Sequence, residues 1–383
     1  LTRTWIDIDL TKLKANYATA KSLTKATVTC VIKSNAYGHG AVRVAQALQA
    51  AGCESFAVSC AREGFELRRA GVKGEILVMG LTEKEALQRA VREGLTLTVG
   101  TLTGIAEAEE AAEKLQMPVK AHVAVDTGFH RLGYDCTEAD AAKVAEAAKT
   151  LRYVKLCGLY SHLGLITPER DQMQYDNLMR MKALLAAHGL TIVDVHLCDS
   201  IGLVRYPEWH MSRVRVGALL FGVRPYHSEN MPFEDFETLA FRTTVAQVRD
   251  VAKGEIVGYS DDQVLDHDAR IATLCAGYGD GYPRCLSNGR GQVLLHGRFA
   301  PVVGLICMDQ LMLDVTDILE VCAGDTATLL GDGIGYMQYA DWCCTNRNEC
   351  ISILSRRPQR VYREDGRIVT ILDSLLDERW DAE

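Results

Sequence analysis

The sequence predicts an α/β protein, a (β/α)8 barrel followed by a C-terminal antiparallel β domain. Three observations carry this expectation. Short β-branched apolar runs alternate with Ala-, Leu-, Glu- and Lys-rich stretches of helical period through the first part of the chain, the signature of βα units feeding a parallel sheet. Eight such runs fit into about 220 residues, the size of a closed barrel. Beyond residue 237 the pattern becomes apolar runs broken by Gly and Asp with little helix, which reads as antiparallel β structure. The expected division is therefore a barrel over 1–237 and a β domain over 238–383. With 383 residues, 48% of them hydrophobic, the chain exceeds one ordinary domain and can fill two cores.

Taken in order, the expected barrel strands lie at 27–33, 55–59, 75–79, 96–99, 119–126, 154–161, 191–197 and 212–216. Helical segments fall between them, for example at 40–51, 137–150 and 171–188. In the second part, TTVAQVRDV, RIATLCAGYG, GQVLLHG, APVVGLICMD, QLMLDVTD and DTATLLG have the strand pattern. No low-complexity tract or linker separates the two parts, so they are expected to pack firmly.

Composition limits the function. A net charge of −8 and no long basic run argue against a nucleic-acid partner and favour a small molecule. The thirteen cysteines are scattered, and Cys30, Cys157 and Cys275 lie inside apolar runs, so reduced thiols in a cytoplasmic setting are expected, with no metal site. No run approaches the ~18 apolar residues that span a bilayer. The chain starts at Leu1 rather than Met, which suggests a piece of something longer.

In such barrels the active site forms at the C-terminal ends of the strands. Lys33 follows the first run, Arg131 the fifth and Ser200 the seventh; His162 ends the sixth and Arg215 the eighth. An isolated lysine at a strand end is most often a solvent-reaching stem. Here it ends a buried strand with Tyr37 four residues on, and a desolvated lysine has a lowered pKa and can form a Schiff base. It is followed by SNAYGHG, which reads as a turn and not as a helix start. Arg215-Val216-Gly217, with Ser200 one loop earlier, has the makings of a phosphate cradle, though a turn glycine and a helix-capping serine explain the same residues. GYSDDQ at 258–263, GYGDGYPR at 277–284 and ICMDQLMLDVTD at 306–317 concentrate Tyr, Gly and Asp beyond what hairpin turns account for.

VIKSNAYGHG, DTGFHRLGY, Ser161-His162, RVGALLFG, GYGDGYPR and ICMDQLMLDVTD together resemble the alanine racemase family of fold-type III pyridoxal-phosphate (PLP) enzymes. The resemblance runs nearly end to end. It implies that Lys33 binds PLP through a Schiff base and serves as one base, with Tyr259 the opposing base, reaching in from the second subunit of a head-to-tail homodimer. It further implies that Tyr37, Ser200, Gly217 and Ala218 hold the phosphate and that Arg215 faces the pyridine nitrogen. His162 would support the tyrosine, Arg131 would lie near the cofactor phenolic oxygen and substrate carboxylate, and Met308 of the partner chain would touch that carboxylate. A two-base pair suits racemisation, since one group removes the α-proton and another returns one on the opposite face.

Two positions depart from the family. Asn348 precedes Glu349 where relatives carry a tyrosine over the substrate pocket. An amide there opens space and offers a hydrogen bond to a hydroxyl, which makes serine the leading substrate. This departure resembles the racemase domain of VanT-type membrane-bound serine racemases of vancomycin-resistant bacteria. That likeness implies D-serine supplied to peptidoglycan precursors ending in D-Ala-D-Ser, and an upstream membrane domain tethering a cytoplasmic racemase domain, with no membrane contact from this chain itself. Ala124 stands where many relatives have a lysine, often carbamylated, that orients the arginine matching Arg131; an anion such as chloride is one substitute. The alternatives are an alanine racemase supplying D-alanine for peptidoglycan, a non-catalytic PLP or D-amino-acid binding domain, and a PLP decarboxylase on the same barrel. The second-domain motifs disfavour the last.

Overall fold

The computed structural model describes residues 3–224, 237–259 and 264–376. Strand β1 (Thr4–Asp9) is followed by β2 (Thr27–Val31), β3 (Ser55–Val58), β4 (Glu75–Leu81), β5 (Thr96–Val99), β6 (Val119–Asp126), β7 (Tyr134–Asp135), β8 (Val154–Tyr160), β9 (Asp194–His196) and β10 (Arg213–Val216). Without β1 and the short β7, these form one parallel sheet in the order β10-β2-β3-β4-β5-β6-β8-β9. The last strand returns to the first, with Val214 opposite Val28 and Val216 opposite Cys30, so the sheet wraps into a barrel. Its remaining seam is bridged by Ser212 N–H to Val195 O (3.2 Å) and Arg215 N–H to Cys198 O (3.0 Å). All eight expected runs form these strands, with ends moved by at most three residues. They are legible because parallel strands are covered on both faces and read as near-continuous apolar runs; β3, β5 and β10 are buried along their whole length.

The barrel interior is partly polar. At the N-terminal ends of their strands, Arg213 pairs with Glu75 (2.5 Å) and Asp194. Above them His122 Nδ1 meets His196 Nε2 at 2.9 Å, and Arg215 Nη1 donates to His196 Nδ1 at 2.6 Å. Both imidazoles are fully buried, and burial lowers their pKa, His122 to about 4 and His196 well below its usual value. His39, buried against Phe221, is likewise lowered to about 4 by burial. Each folded-state pKa lies below the unfolded value, so the unfolded chain binds more protons below pH 6.5 and stability is lost as pH falls. For His39 the loss is on the order of 3 kcal/mol as pH approaches 4, and the His122–His196 pair adds to it in the same direction. The unfolding temperature is expected to drop between pH 7 and pH 5 at constant ionic strength; a flat profile would contradict neutral buried histidines.

The second sheet contains β11 (Leu239–Val251), β12 (Ala269–Leu274), β13 (Gln292–Leu295), β14 (Arg298–Val303), β15 (Leu311–Asp314), β16 (Thr326–Leu330), β17 (Gln359–Glu364) and β18 (Arg367–Leu372), in the order β12-β15-β14-β13-β16-β11-β1-β17-β18. The pairings are antiparallel except β1 with β17. The 1–237 division assigns residues 4–9 to the barrel, but β1 lies in this sheet, Ile6 opposite Phe241 on one side and Arg360 on the other. Its backbone completes a ladder between β11 and β17, and Ile6 and Ile8 enter the core fully buried. Two helices, Tyr336–Cys343 and Arg347–Ser352, interrupt this domain. Among the described residues no helix is long and apolar enough to cross a membrane.

Candidate active site

The C-terminal rim of the barrel surrounds a cavity of about 590 Å3. Lys33, Tyr37, Arg131, His162, Ser200, Arg215, Gly217, Ala218 and Asn348 all line it. Tyr259 and Met308 do not. They lie in the second domain, 81% and 54% exposed respectively, so one chain alone does not bring them to Lys33.

Lys33 opens a single left-handed helical turn in which Ser34, Asn35, Ala36 and Tyr37 have φ of 53°, 53°, 52° and 53°. The sequence reads as a turn and not a helix start, and the backbone instead winds left-handed through four residues that are not glycine. A left-handed residue costs roughly 1–2 kcal/mol each, so this turn needs outside support. Glu63 supplies part of it, its carboxylate accepting from Ser34 N–H (2.6 Å) and Ser59 N–H (2.7 Å). Asn35 Oδ1 accepts from Ala41 N–H at 2.8 Å. The second domain supplies the rest: Arg360 Nε donates to Gly38 O (2.9 Å) and Tyr362 Oη to His39 O (3.0 Å). Burial, and then the Arg131 cation, hold the Lys33 ammonium below the usual lysine pKa against the opposing charge of Glu63.

Ser200 and Gly217 form a small cradle. Ser200 Oγ accepts from Gly217 N–H (3.0 Å) and Leu219 N–H (3.4 Å), leaving its own O–H to donate elsewhere. A Cβ on Gly217 would lie 2.6 Å from Tyr37 Oη, so only glycine lets the phenol come this close. The Tyr37 ring packs against Phe221 at 5.0 Å, and burial lifts its pKa to about 12, keeping the hydroxyl protonated as a donor. The hydroxyls of Ser200 and Tyr37 thus meet beside Gly217 at one wall, a donor pair that fits an anionic phosphate.

Arg215 is buried and fixed by His196, by Ser161 O (2.7 Å) and by Leu197 O (2.9 Å), with its guanidinium 5.4 Å from the Tyr160 ring centroid. His162 is brought down to about pKa 3 by burial and then by Arg215, Arg131 and Lys33, so it is neutral at pH 7. Its ring meets Phe129 at 5.3 Å. Asn348 sits on the helix Arg347–Ser352, whose first turn is capped by Asn346 Oδ1 accepting from Glu349 N–H (2.9 Å). This helix is the second domain's contribution to the cavity.

Tyr259 follows Gly258, whose φ is +76°, and the adjoining residues 260–263 of GYSDDQ lie outside the described residues. Met308 is held through its carbonyl, which accepts from Gly279 N–H (2.8 Å) and Arg357 Nη2 (3.3 Å). Arg357 in turn makes a two-point pair with the buried Asp280 at 2.6 Å per contact. GYGDGYPR is therefore a staple beneath the Met308 loop. Phe129 lies inside DTGFHRLGY, but an aromatic residue in a loop carries no signal of its own, and His196 is set within β9, where no polar strand end marks it.

The pattern described as "Alanine racemase, N-terminal domain" matches residues 8–225, and "Alanine racemase, C-terminal domain" matches residues 238–362. The chain belongs to the alanine racemase family. The alanine racemase of Clostridium tetani is 32% identical over 377 residues, covering 96% of this chain and 97% of that one. Among solved structures, the alanine racemase of Clostridium difficile 630 has a TM-score of 0.92 at 31% identity, covering 98% of this chain and 99% of its own. That of Bartonella henselae, with covalently bound pyridoxal phosphate, has a TM-score of 0.85 at 26% identity over 95% and 100% of the two chains. The alanine racemase fold, a barrel followed by a mainly antiparallel β domain, is thus shared along essentially the whole chain.

Proposed function

We propose that this chain is a PLP-dependent racemase interconverting the L and D enantiomers of alanine. The observation that carries the reading is Lys33, with its lowered pKa, lining one rim cavity together with the hydroxyls of Ser200 and Tyr37, with Gly217 and with Arg215. When bound, PLP serves as an electron sink that acidifies the substrate α-carbon. Lys33 would hold the cofactor covalently, and Ser200, Tyr37, Gly217 and Ala218 its phosphate. Arg215, a fixed cation, disfavours a proton on any nitrogen facing it. Arg131 would pair with the substrate carboxylate near the cofactor's phenolic oxygen. Lys33 Nζ takes or returns the α-proton on one face and Tyr259 Oη on the other, with neutral His162 supporting the tyrosine.

Tyr259 and Met308 would reach this site from a second copy of the chain. Their exposure, and their absence from the cavity of their own chain, support a homodimer with shared sites. Tyr259→Phe is expected to bind PLP but lose α-proton exchange on one enantiomer. Mixing Tyr259→Phe with Lys33→Ala subunits should restore activity, because a hybrid dimer holds one intact site. No restoration after verified subunit exchange would refute the shared site.

Serine is a second reading, favoured by Asn348 on the cavity wall. Its amide can bond a substrate hydroxyl where a phenol would exclude it. With serine preferred, D-serine would serve precursors ending in D-Ala-D-Ser, as in the VanT-type enzymes of vancomycin resistance, with an upstream membrane domain tethering the racemase at the cytoplasmic face. The alanine reading leads because the relatives compared above carry that name. Racemisation of L-alanine and L-serine side by side, with added PLP and chiral product analysis, decides between them. If serine is preferred, Asn348→Tyr should move the kcat/KM ratio toward alanine by about tenfold or more; an unchanged ratio removes Asn348 from specificity.

A further inference from the structure

Arg131 faces the cavity without a counter-ion. Among the described residues its guanidinium makes no ion pair or hydrogen bond; its close partner is the Phe129 ring, 4.3 Å from guanidinium carbon to ring centroid. The nearby acid Asp126, at the end of β6, is otherwise engaged. Its Oδ1 accepts from Gly128 N–H (2.8 Å) and His130 N–H (3.0 Å), and its Oδ2 lies 3.5 Å from the His130 ring. Ala124, also on the cavity wall, offers only a methyl.

We propose that Phe129 is a positioning residue, its ring holding the Arg131 guanidinium over the pocket where a polar or anionic partner would otherwise do so. The inference rests on the racemase reading for the role of Arg131 but not for the contact itself. A ring face attracts a guanidinium through its quadrupole, more strongly as water is excluded. It orients the cation without neutralising it, whereas a carboxylate would do both. The undiminished charge remains available to a substrate carboxylate, and it acts on Lys33 and His162, whose proton affinities it depresses. Phe129 also touches the His162 ring, so one side chain sets the spacing of two cavity groups.

The platform is itself anchored. Thr127 Oγ1 and Ser161 Oγ are 2.8 Å apart, Asn177 Nδ2 donates to Thr127 O (3.0 Å), and Arg170 Nη2 donates to Gly128 O (3.2 Å). These bonds tie the loop to β8 and to the helix Pro168–Ala187. Phe129 is 37% exposed, so shortening it removes little core.

The test compares PLP-loaded wild-type protein, Phe129→Leu and Phe129→Tyr. Leucine should raise KM for both alanine enantiomers about five- to tenfold with kcat changed by less than about twofold, while tyrosine, which keeps the ring face, stays close to wild type. The unfolding temperature should be unchanged in both. Crystal structures should show the guanidinium against the ring in wild type and Phe129→Tyr, and displaced in Phe129→Leu. Wild-type KM in Phe129→Leu, or equal losses in the two variants, would overturn the proposal. If wild type racemises neither alanine nor serine, the functional reading fails separately; the crystal structures then decide, and an unmoved Arg131 in Phe129→Leu overturns the platform.

Discussion

Lys33→Ala is expected to abolish the absorption band of lysine-bound PLP and to lower racemisation by about 10⁴-fold or more. Two functions converge on one atom. Lys33 Nζ is the amine that would bind the cofactor and one of the two groups that move the α-proton, and loss of a nucleophile or a positioned base typically costs orders of magnitude. The cavity holds no substitute among its neighbouring cations, because guanidinium groups remain protonated and are poor nucleophiles. Lys33 is half-buried and follows a strand whose pairing is backbone-made, so the variant should fold. Added methylamine should restore part of the activity by replacing the amine without the tether. Retention of the band in Lys33→Ala would transfer cofactor attachment to another residue and undo the central assignment.

Gly38→Ala is expected to destabilise the protein by about 3 kcal/mol or more and to reduce activity with it. Gly38 has φ of +85°, and a Cβ there would lie 2.0 Å from Ile351 O. The methyl would have to push away the helix Arg347–Ser352, which carries Asn348, or unwind the turn that carries Lys33. Gly52 provides a control, with φ of +89° and nothing near the added carbon. Gly52→Ala pays only the left-handed strain, about 1–2 kcal/mol. Urea unfolding of both variants separates the two contributions. Equal losses would mean that backbone conformation, and not the close approach of the domains, sets the requirement at position 38.

Much of this architecture was readable from residue order, and the reasons are physical. The barrel strands are covered on both faces, so their apolar runs stand out, and the turn after each ends in polar residues that converge on one rim. That logic located Lys33, Arg131, His162, Ser200 and Arg215 together, as the cavity has them. β1 escaped it because TWIDID, although followed directly by the helix Leu10–Ser22 like a barrel strand, finds its ladders in β11 and β17, more than two hundred residues away. The left-handed turn at 34–37 escaped it too. Ser, Ala and Tyr have no preference for positive φ, and the conformation is imposed by Glu63 and by the second domain. The same limit hid Phe129, whose part depends on where a guanidinium three-dimensionally comes to rest.

The placement of β1 has a consequence for how this molecule can be divided. From β1 in the second sheet the backbone leaves at Asp9 to build the barrel and re-enters that sheet at β11, so it passes between the two units twice. A single cut after the barrel would leave the N-terminal fragment with an orphaned strand and the C-terminal fragment with an open gap between β11 and β17. Each fragment would hold what the other lacks. The two units are therefore expected to melt as one, and separately expressed halves to regain order only when they are combined, in the manner of a split protein.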